Sequence, residues 1–155
     1  MGTTIDELIR ITGSKVHTVP SDATLGDALQ VMAQHEIGAV VVADSVEDVV
    51  GIFSERDYAR KSLKSDGLPM SAPIRDLMTA NVITVRRDHT VQECMELVTQ
   101  RRIRHLPVVD RDRVLIGLVS IGDLVKASIA EKEALINEKQ SLVRKLENYI
   151  TGAVS

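Results

Sequence analysis

The chain has no tryptophan, two tyrosines, one phenylalanine and a single cysteine in 155 residues. With aromatics confined to Phe53, Tyr58 and Tyr149, the stacking platforms that single-strand and RNA binders use cannot be assembled. One cysteine, Cys94, forms no internal disulfide, and its place on the apolar stripe of a helix reads as a small buried hydrophobe. Net charge is also small. Nineteen Lys and Arg face 22 Asp and Glu, a formal net charge of −3, so there is no general attraction for nucleic acid or anionic lipid. No apolar run approaches the roughly 18 residues of a membrane span, and Met1 to Arg10 lacks a hydrophobic signal core, so no membrane association and a cytoplasmic location are expected. His17, His35, His89 and His105 are scattered without the spacing of zinc or iron ligands, so no metal is expected.

What the sequence does contain is a copy of itself. At an offset of 66, Val16–Arg60 aligns without gaps with Val82–Lys126, and the identities include Val16/Val82, Thr18/Thr84, Thr24/Thr90, Gly51/Gly117, Ser54/Ser120 and Asp57/Asp123. Turns, caps and apolar positions coincide, and two copies fall short of a stacked solenoid, so two domain-like halves are expected. Upstream, Ile5–Leu8 resembles Ile74–Leu77. Each copy predicts strand, helix, strand, strand, helix. Short strands open at Val16–Val19 and Val82–Val85. Thr24 with Asp27, and Thr90 with Glu93, carry the capping-box signature ahead of apolar residues at helical spacing. Continuous apolar runs, Ala39–Ala43 and Leu106–Val109, pair as hairpins with Val49–Phe53 and Val114–Val119, and a second helix starts at Ser54 or Ser120.

Lys64–Pro73 reads as an exposed linker, which divides the chain into a first repeat over 1–66, linker and second repeat over 67–129, and a C-terminal helix over 130–155. That helix repeats Ile129, Ile136, Val143 and Ile150 every seven residues, and the stripe needs a partner: the body of the same chain or, favoured here, a second subunit in a homodimer.

Chemistry concentrates where the third strand of each copy meets its second helix, in GIFSERD (Gly51–Asp57) and GLVSIGD (Gly117–Asp123). A helix N-terminus presents unpaired N–H groups and the positive end of the dipole to an anion. Ser adds a donor, and an Asp one turn in can accept from the vicinal hydroxyls of a ribose. The same Ser-x-x-Asp pattern is also close to a capping box, in which the acid merely answers its own helix. A second feature in both copies, IGAVVV (Ile37–Val42) and IRHLPVV (Ile103–Val109), places Gly38 and Arg104 each 16 residues before Ser54 and Ser120, so the two features meet at one sheet edge. No His or Cys nucleophile is spaced beside Asp57 or Asp123, and catalysis is not expected.

These residues, with the strings GIFSERDY and RIRHLPVV…GLVSIGDLVKA, resemble a tandem pair of CBS (cystathionine β-synthase) domains, a Bateman module, over about Ile5 to Ile129. The resemblance implies an α/β (α+β) fold of two βαββα repeats packed about a pseudo-twofold axis, with two clefts between them. It implies an adenine nucleotide as ligand (AMP, ADP, ATP or NAD(H)) and a regulatory role exerted on a partner protein yet to be identified. Position by position, it places the ribose acid at Asp57 and Asp123 and the hydroxyl near the phosphate at Ser54 and Ser120. The backbone bracketing adenine falls at Gly38 and Ala39 and at Arg104, His105 and Pro107, with Thr18 and Thr84 under the base or ribose. Arg56, Arg104 and His105 are placed to reach phosphates. A structural dimerisation module that acts on its partner without ligand is the other reading.

Overall fold

The computed structural model describes residues 2–13 and 16–152. Helix α1 (Ile5–Thr12) precedes the first repeat, which runs β1 (Thr18–Val19), α2 (Leu25–His35), β2 (Ala39–Ser45), β3 (Asp48–Ser54) and α3 (Glu55–Lys64). A 3-10 turn (Ile74–Asp76) leads into the second repeat, α4 (Val91–Arg101), β4 (His105–Val109), β5 (Leu115–Ser120) and α5 (Ile121–Thr151). β1 pairs parallel with β2, and β2 pairs antiparallel with β3. β4 and β5 form the matching hairpin, in the register His105 opposite Ser120 that mirrors Ala39 opposite Ser54.

The capping box expected at both helix starts is complete at α2 and half formed at α4, where the Glu93 carboxylate accepts from Thr90 Oγ1 and not from Thr90 N. Thr24 and Asp27 exchange side-chain and backbone bonds at the start of α2, and Thr90 Oγ1 accepts from Glu93 N at the start of α4. Both helices end on a left-handed residue, Glu36 (φ 53°) and Arg102 (φ 54°), which turns the chain into β2 and β4. The apolar runs are buried on both faces: Val40, Val41, Val42, Leu106 and Val108 are fully inaccessible.

The second repeat departs from the first at its opening strand. The expected Val82–Val85 strand shrinks to one parallel bridge, Val85 to Val108. In the first copy Val41 N donates to His17 O, extending the ladder. The position 66 residues on is Pro107, which has no N–H to give, so the parallel pairing stops there.

The two hydrophobic cores do not follow chain order. Ile5, Leu8 and Ile9 of α1 pack with Val85, Val91, Cys94, Leu106 and Leu124 of the second repeat. Ile74 and Leu77, just ahead of the second repeat, pack with Val19, Leu25, Val40 and Phe53 of the first. The crossing is symmetric in its backbone bonds. Ile5 N donates to His89 O and Val91 N to Thr3 O, while Ile74 N donates to Ala23 O and Leu25 N to Ala72 O. Linker residues therefore dock on the start of α2 while their side chains stay mostly exposed. The repeated glycines follow from this crossing. A Cβ on Gly51 would lie 2.3 Å from Met78 Sδ and 3.1 Å from Thr79 O, and one on Gly117 would lie 3.2 Å from Ile9 Cδ1. Each hairpin passes close to the other copy's lead-in at this glycine, more tightly at Gly51, where a backbone oxygen is among the neighbours, than at Gly117, where the neighbour is the end of a side chain.

A third cluster, Val41, Ala43 and Leu115 with Val16, Val49 and Leu118, joins the two sheets face to face, and Leu115 N donates to Val46 O. Cys94 is 1% exposed, and burial pushes its thiol up to about 11, with Glu93 adding to the rise, so it is a protonated core residue at neutral pH. α5 is one unbroken helix, so the second helix of the repeat and the C-terminal helix are continuous; residues 153–155 of the expected segment lie outside the described residues. Its stripe is half open to solvent in the single chain: Ile129 51%, Ile136 53% and Val143 51%. Among the described residues, no helix is long and apolar enough to cross a membrane.

Candidate functional site

Two clefts lie between the repeats, and each is assembled from both. The first, about 160 Å³, joins Ser54, Arg56, Asp57 and Arg60 at the start of α3 to Asn81–Ile83 and Arg102–His105 of the second repeat, with Ile52 and Thr79 at its side. The second, about 270 Å³, joins Ser120 and Asp123 at the start of α5 to Val16, His17 and Ile37–Ala39 of the first repeat, with Leu118 and His105. Most of the lining corresponds at the offset of 66: Ser54/Ser120, Asp57/Asp123, Val16/Val82, Ile37/Ile103, Gly38/Arg104 and Ala39/His105. The two clefts are thus related as the repeats are, by an approximate twofold.

The acids are partly engaged. Asp57 Oδ2 accepts from Ser54 N at 3.0 Å and from Ser54 Oγ at 3.0 Å, while Asp57 N donates to Ser54 Oγ at 3.2 Å. Asp123 Oδ2 accepts from Ser120 N at 3.0 Å, and Asp123 N donates to Ser120 Oγ at 3.1 Å. Both capping boxes are complete. The alternative reading of the motif is therefore true as far as it goes, yet it uses one carboxylate oxygen. Among the described residues no hydrogen bond engages Oδ1 of either acid. Capping fixes the rotamer of the acid and leaves an acceptor free in a groove.

Hairpin geometry brings the second motif alongside. Glu55 N donates to Gly38 O at 3.0 Å and Ile121 N to Arg104 O at 2.8 Å, which pins the start of β2 and of β4 to the helix that follows in the same copy. The open side of each junction then faces the other copy, so Arg104 and His105 join Asp57, and Gly38 and Ala39 join Asp123. Thr18 and Thr84 are exposed and line neither cleft; Thr84 edges a separate groove with Asn81 and Arg86. Pro107 is buried within β4, its carbonyl accepting from Val85 N. Arg60, Asn81 and Arg102 in one cleft and His17 in the other were not singled out from sequence. Only the pairing of Val82–Ile83 with Val16–His17 at the repeat offset points to those strand starts.

Electrostatics separates the clefts. The Arg56 guanidinium is held below its ordinary value, chiefly by Arg60 and then by Arg104, a sign of crowded like charge. His105 lines both clefts. Burial pushes its imidazole below its ordinary value, and Arg104 adds to this, while Asp123, Asp57 and Glu55 pull the other way. The unfolded chain thus binds a proton near pH 6.5 that the folded chain refuses, so stability is full above that pH and declines as pH falls through it. Thermal melts from pH 7.5 to 5.5 are expected to show this decline in the native chain and a shallower one in His105→Gln; parallel curves would remove burial as the governing effect. Among the described residues no group of three or more His, Cys, Asp or Glu could hold a metal ion.

Comparison with known proteins agrees with this architecture. The sequence profile described as CBS domain matches twice, at residues 3–64 and 74–130. The chain is 38% identical over 136 residues to the mitochondrial CBS domain-containing protein CBSX3 of Arabidopsis thaliana, a match that covers 85% of this chain and 62% of that protein's length. The crystal structure of the CBS-domain containing protein ATU1752 from Agrobacterium tumefaciens is similar at 37% identity and a TM-score of 0.76, covering 81% of this chain and 99% of that one. The CBS domain protein PAE2072 from Pyrobaculum aerophilum, solved in complex with AMP, is similar at 25% identity and a TM-score of 0.68, covering 77% of this chain and 88% of that one. With two copies of the domain, crossed lead-ins and a pair of clefts related by the repeat, the chain belongs to the CBS-domain family as a tandem pair.

Proposed function

We propose that the protein is a regulatory module that binds adenine nucleotides in its two inter-repeat clefts and passes their occupancy to a partner protein. The observation that carries this reading is the free Oδ1 of Asp57 and of Asp123, each held by a complete capping box at a helix start that opens onto the other repeat. The capped acid accepts from the ribose hydroxyls, the positive end of the helix meets the first phosphate, joined by the Ser120 hydroxyl in the Asp123 cleft, and Gly38 lets the base approach the strand backbone where Arg104 stands in the other cleft. AMP in the relative PAE2072 supports the ligand class. AMP, ADP, ATP and NAD(H) all present the required ribose and phosphate.

Calorimetry with AMP tests it. Asp57→Ala or Asp123→Ala is expected to weaken binding at its own cleft by about 1.5–3 kcal/mol, the worth of hydrogen bonds to a charged group. Because each substitution also removes a helix cap, Asp27→Ala is the control: the Thr24–Asp27 box is equally complete and lines neither cleft, so it costs comparable helix stability and leaves affinity unchanged. Unchanged affinity in both cleft variants overturns the ribose assignment.

A second reading, a dimerisation module that acts without ligand, is favoured by one observation: the half-exposed stripe Ile129, Ile136, Val143 along α5, which a second copy would cover. Absence of any thermal shift with the nucleotide panel decides for it, since a ligand at 100 times its dissociation constant adds about 2.7 kcal/mol.

A further inference from the structure

We propose that the two clefts divide adenine ligands by charge: the Asp57 cleft selects nucleotides by phosphate number, preferring polyphosphates, and the Asp123 cleft takes the same nucleotides irrespective of phosphates beyond the first. The inference rests on the adenine-nucleotide reading and deepens it. Four arginines, Arg56, Arg60, Arg102 and Arg104, line the first cleft. At their repeat-related positions, in the second copy for Arg56 and Arg60 and in the first for Arg102 and Arg104, stand Gly122, Lys126, Glu36 and Gly38, so two cations are lost outright, one becomes an acid and one becomes a lysine that does not line the cleft. Among the described residues no arginine lines the second cleft.

Among the described residues, the ion pairs are those of Asp6 with Arg10 and Arg87, and none neutralises the four arginines. Arg56, Arg60 and Arg104 lie close enough that their repulsion makes Arg56 a weaker base, and Asp57 is the one carboxylate among the residues lining that cleft. A cluster of unpaired guanidiniums at a helix N-terminus gains from each further phosphate, because every added anion relieves repulsion and finds a forked donor. Among the described residues the second cleft offers the helix start, a serine and two histidines, His17 and His105, with no comparable cluster of guanidiniums. Binding there depends on base, ribose and the first phosphate.

Calorimetry at one fixed ionic strength with adenosine, AMP, ADP and ATP, on the full chain and on Arg56→Gln, Arg60→Gln and Lys126→Gln, tests the division. All three substituted side chains are exposed, so folding is not at stake. Expected are two classes of site, one whose affinity rises about tenfold or more from AMP to ATP and one that is flat from AMP to ATP. The rise falls below about threefold in either arginine variant and persists in Lys126→Gln, whose residue is the repeat counterpart of Arg60. A single flat class, a rise that survives both arginine variants, or one lost in Lys126→Gln overturns the inference. Binding of adenosine and AMP without any rise removes the charge division and leaves the adenine reading standing, whereas failure of all four compounds to bind removes both.

Discussion

The double substitution Ile5→Ala/Leu8→Ala is expected to unfold the second repeat while the first stays comparatively intact. Both side chains lie in the core around Val91, Cys94, Leu106 and Leu124, at 0% and 4% exposure. Truncating a buried Ile or Leu costs about 2–5 kcal/mol, and two neighbours in one cluster together cost about 4–8 kcal/mol after their overlap is allowed for. Against a total of about 5–15 kcal/mol for a domain of this size, that is a large fraction. The exposed Arg87–Asp6 pair, 2.8 Å, adds little to the anchoring. Amide exchange reads the location of the loss. β4, β5 and α4 are expected to lose protection first, although the altered residues stand at the opposite end of the sequence from them, and β1–β3 to follow. Earlier exchange in β1–β3 would show that α1 supports its own repeat and that the cores are not crossed.

That crossing marks the limit of what could be read without coordinates. The duplication, the capping boxes at Thr24, Ser54 and Ser120, and the doubly buried runs are local patterns, and each fixes an element by itself. The similarity of Ile5–Leu8 to Ile74–Leu77 was equally visible, but it says only that both segments are apolar lead-ins. Which core receives which lead-in is decided by chain reach and by backbone bonds such as Ile5 N to His89 O, and a hydrophobic pattern does not encode them. The clefts follow the same rule. Ser54, Asp57, Arg104 and His105 were each legible as chemistry, and their hairpin neighbours were too. That Asp57 faces Arg104 of the other copy, more than 40 sequence positions away, is a property of the face-to-face packing through Val41, Ala43 and Leu115. Thr18 and Thr84 miss the clefts for a local reason. The successive pairs Val16–His17 and Val82–Ile83 line the grooves, and each lining ends there, one residue before the threonine that leads on to the buried Val19 or Val85. Pro107 shows the reverse: its identity, set against Val41, foretells the broken parallel ladder.

Phe53→Ala is expected to destabilise the first repeat and to weaken the Asp57 cleft most. Phe53 is the one phenylalanine of the chain, is fully buried, and sits in the core with Val19, Leu25, Met32, Val40, Ile74 and Leu77. Removing its ring costs about 3–5 kcal/mol, at the upper end where the surroundings cannot close the void. Here they are constrained on two sides. β3 is fixed to β2 by the register Val40 opposite Phe53, and the crossing lead-in is clamped over Gly51 by Ile52 N to Thr79 O and Thr79 N to Ile52 O. Lys61 Nζ also donates to Leu77 O, tying α3 to the same lead-in. The functional consequence follows from sequence adjacency, because Ser54 is the next residue and caps α3. A shift of β3 into the void moves Ser54 and Asp57 together, so nucleotide affinity at that cleft falls along with stability. Ser120 and Asp123 are held by the other core, around Val119 and Leu124, so their cleft, which Ile37–Ala39 of the first repeat also line, is expected to lose less affinity at temperatures where the variant remains folded. The opposite pattern, equal loss at both clefts with an unchanged melting temperature, would mean that Phe53 acts through the interface between repeats rather than through the core it fills.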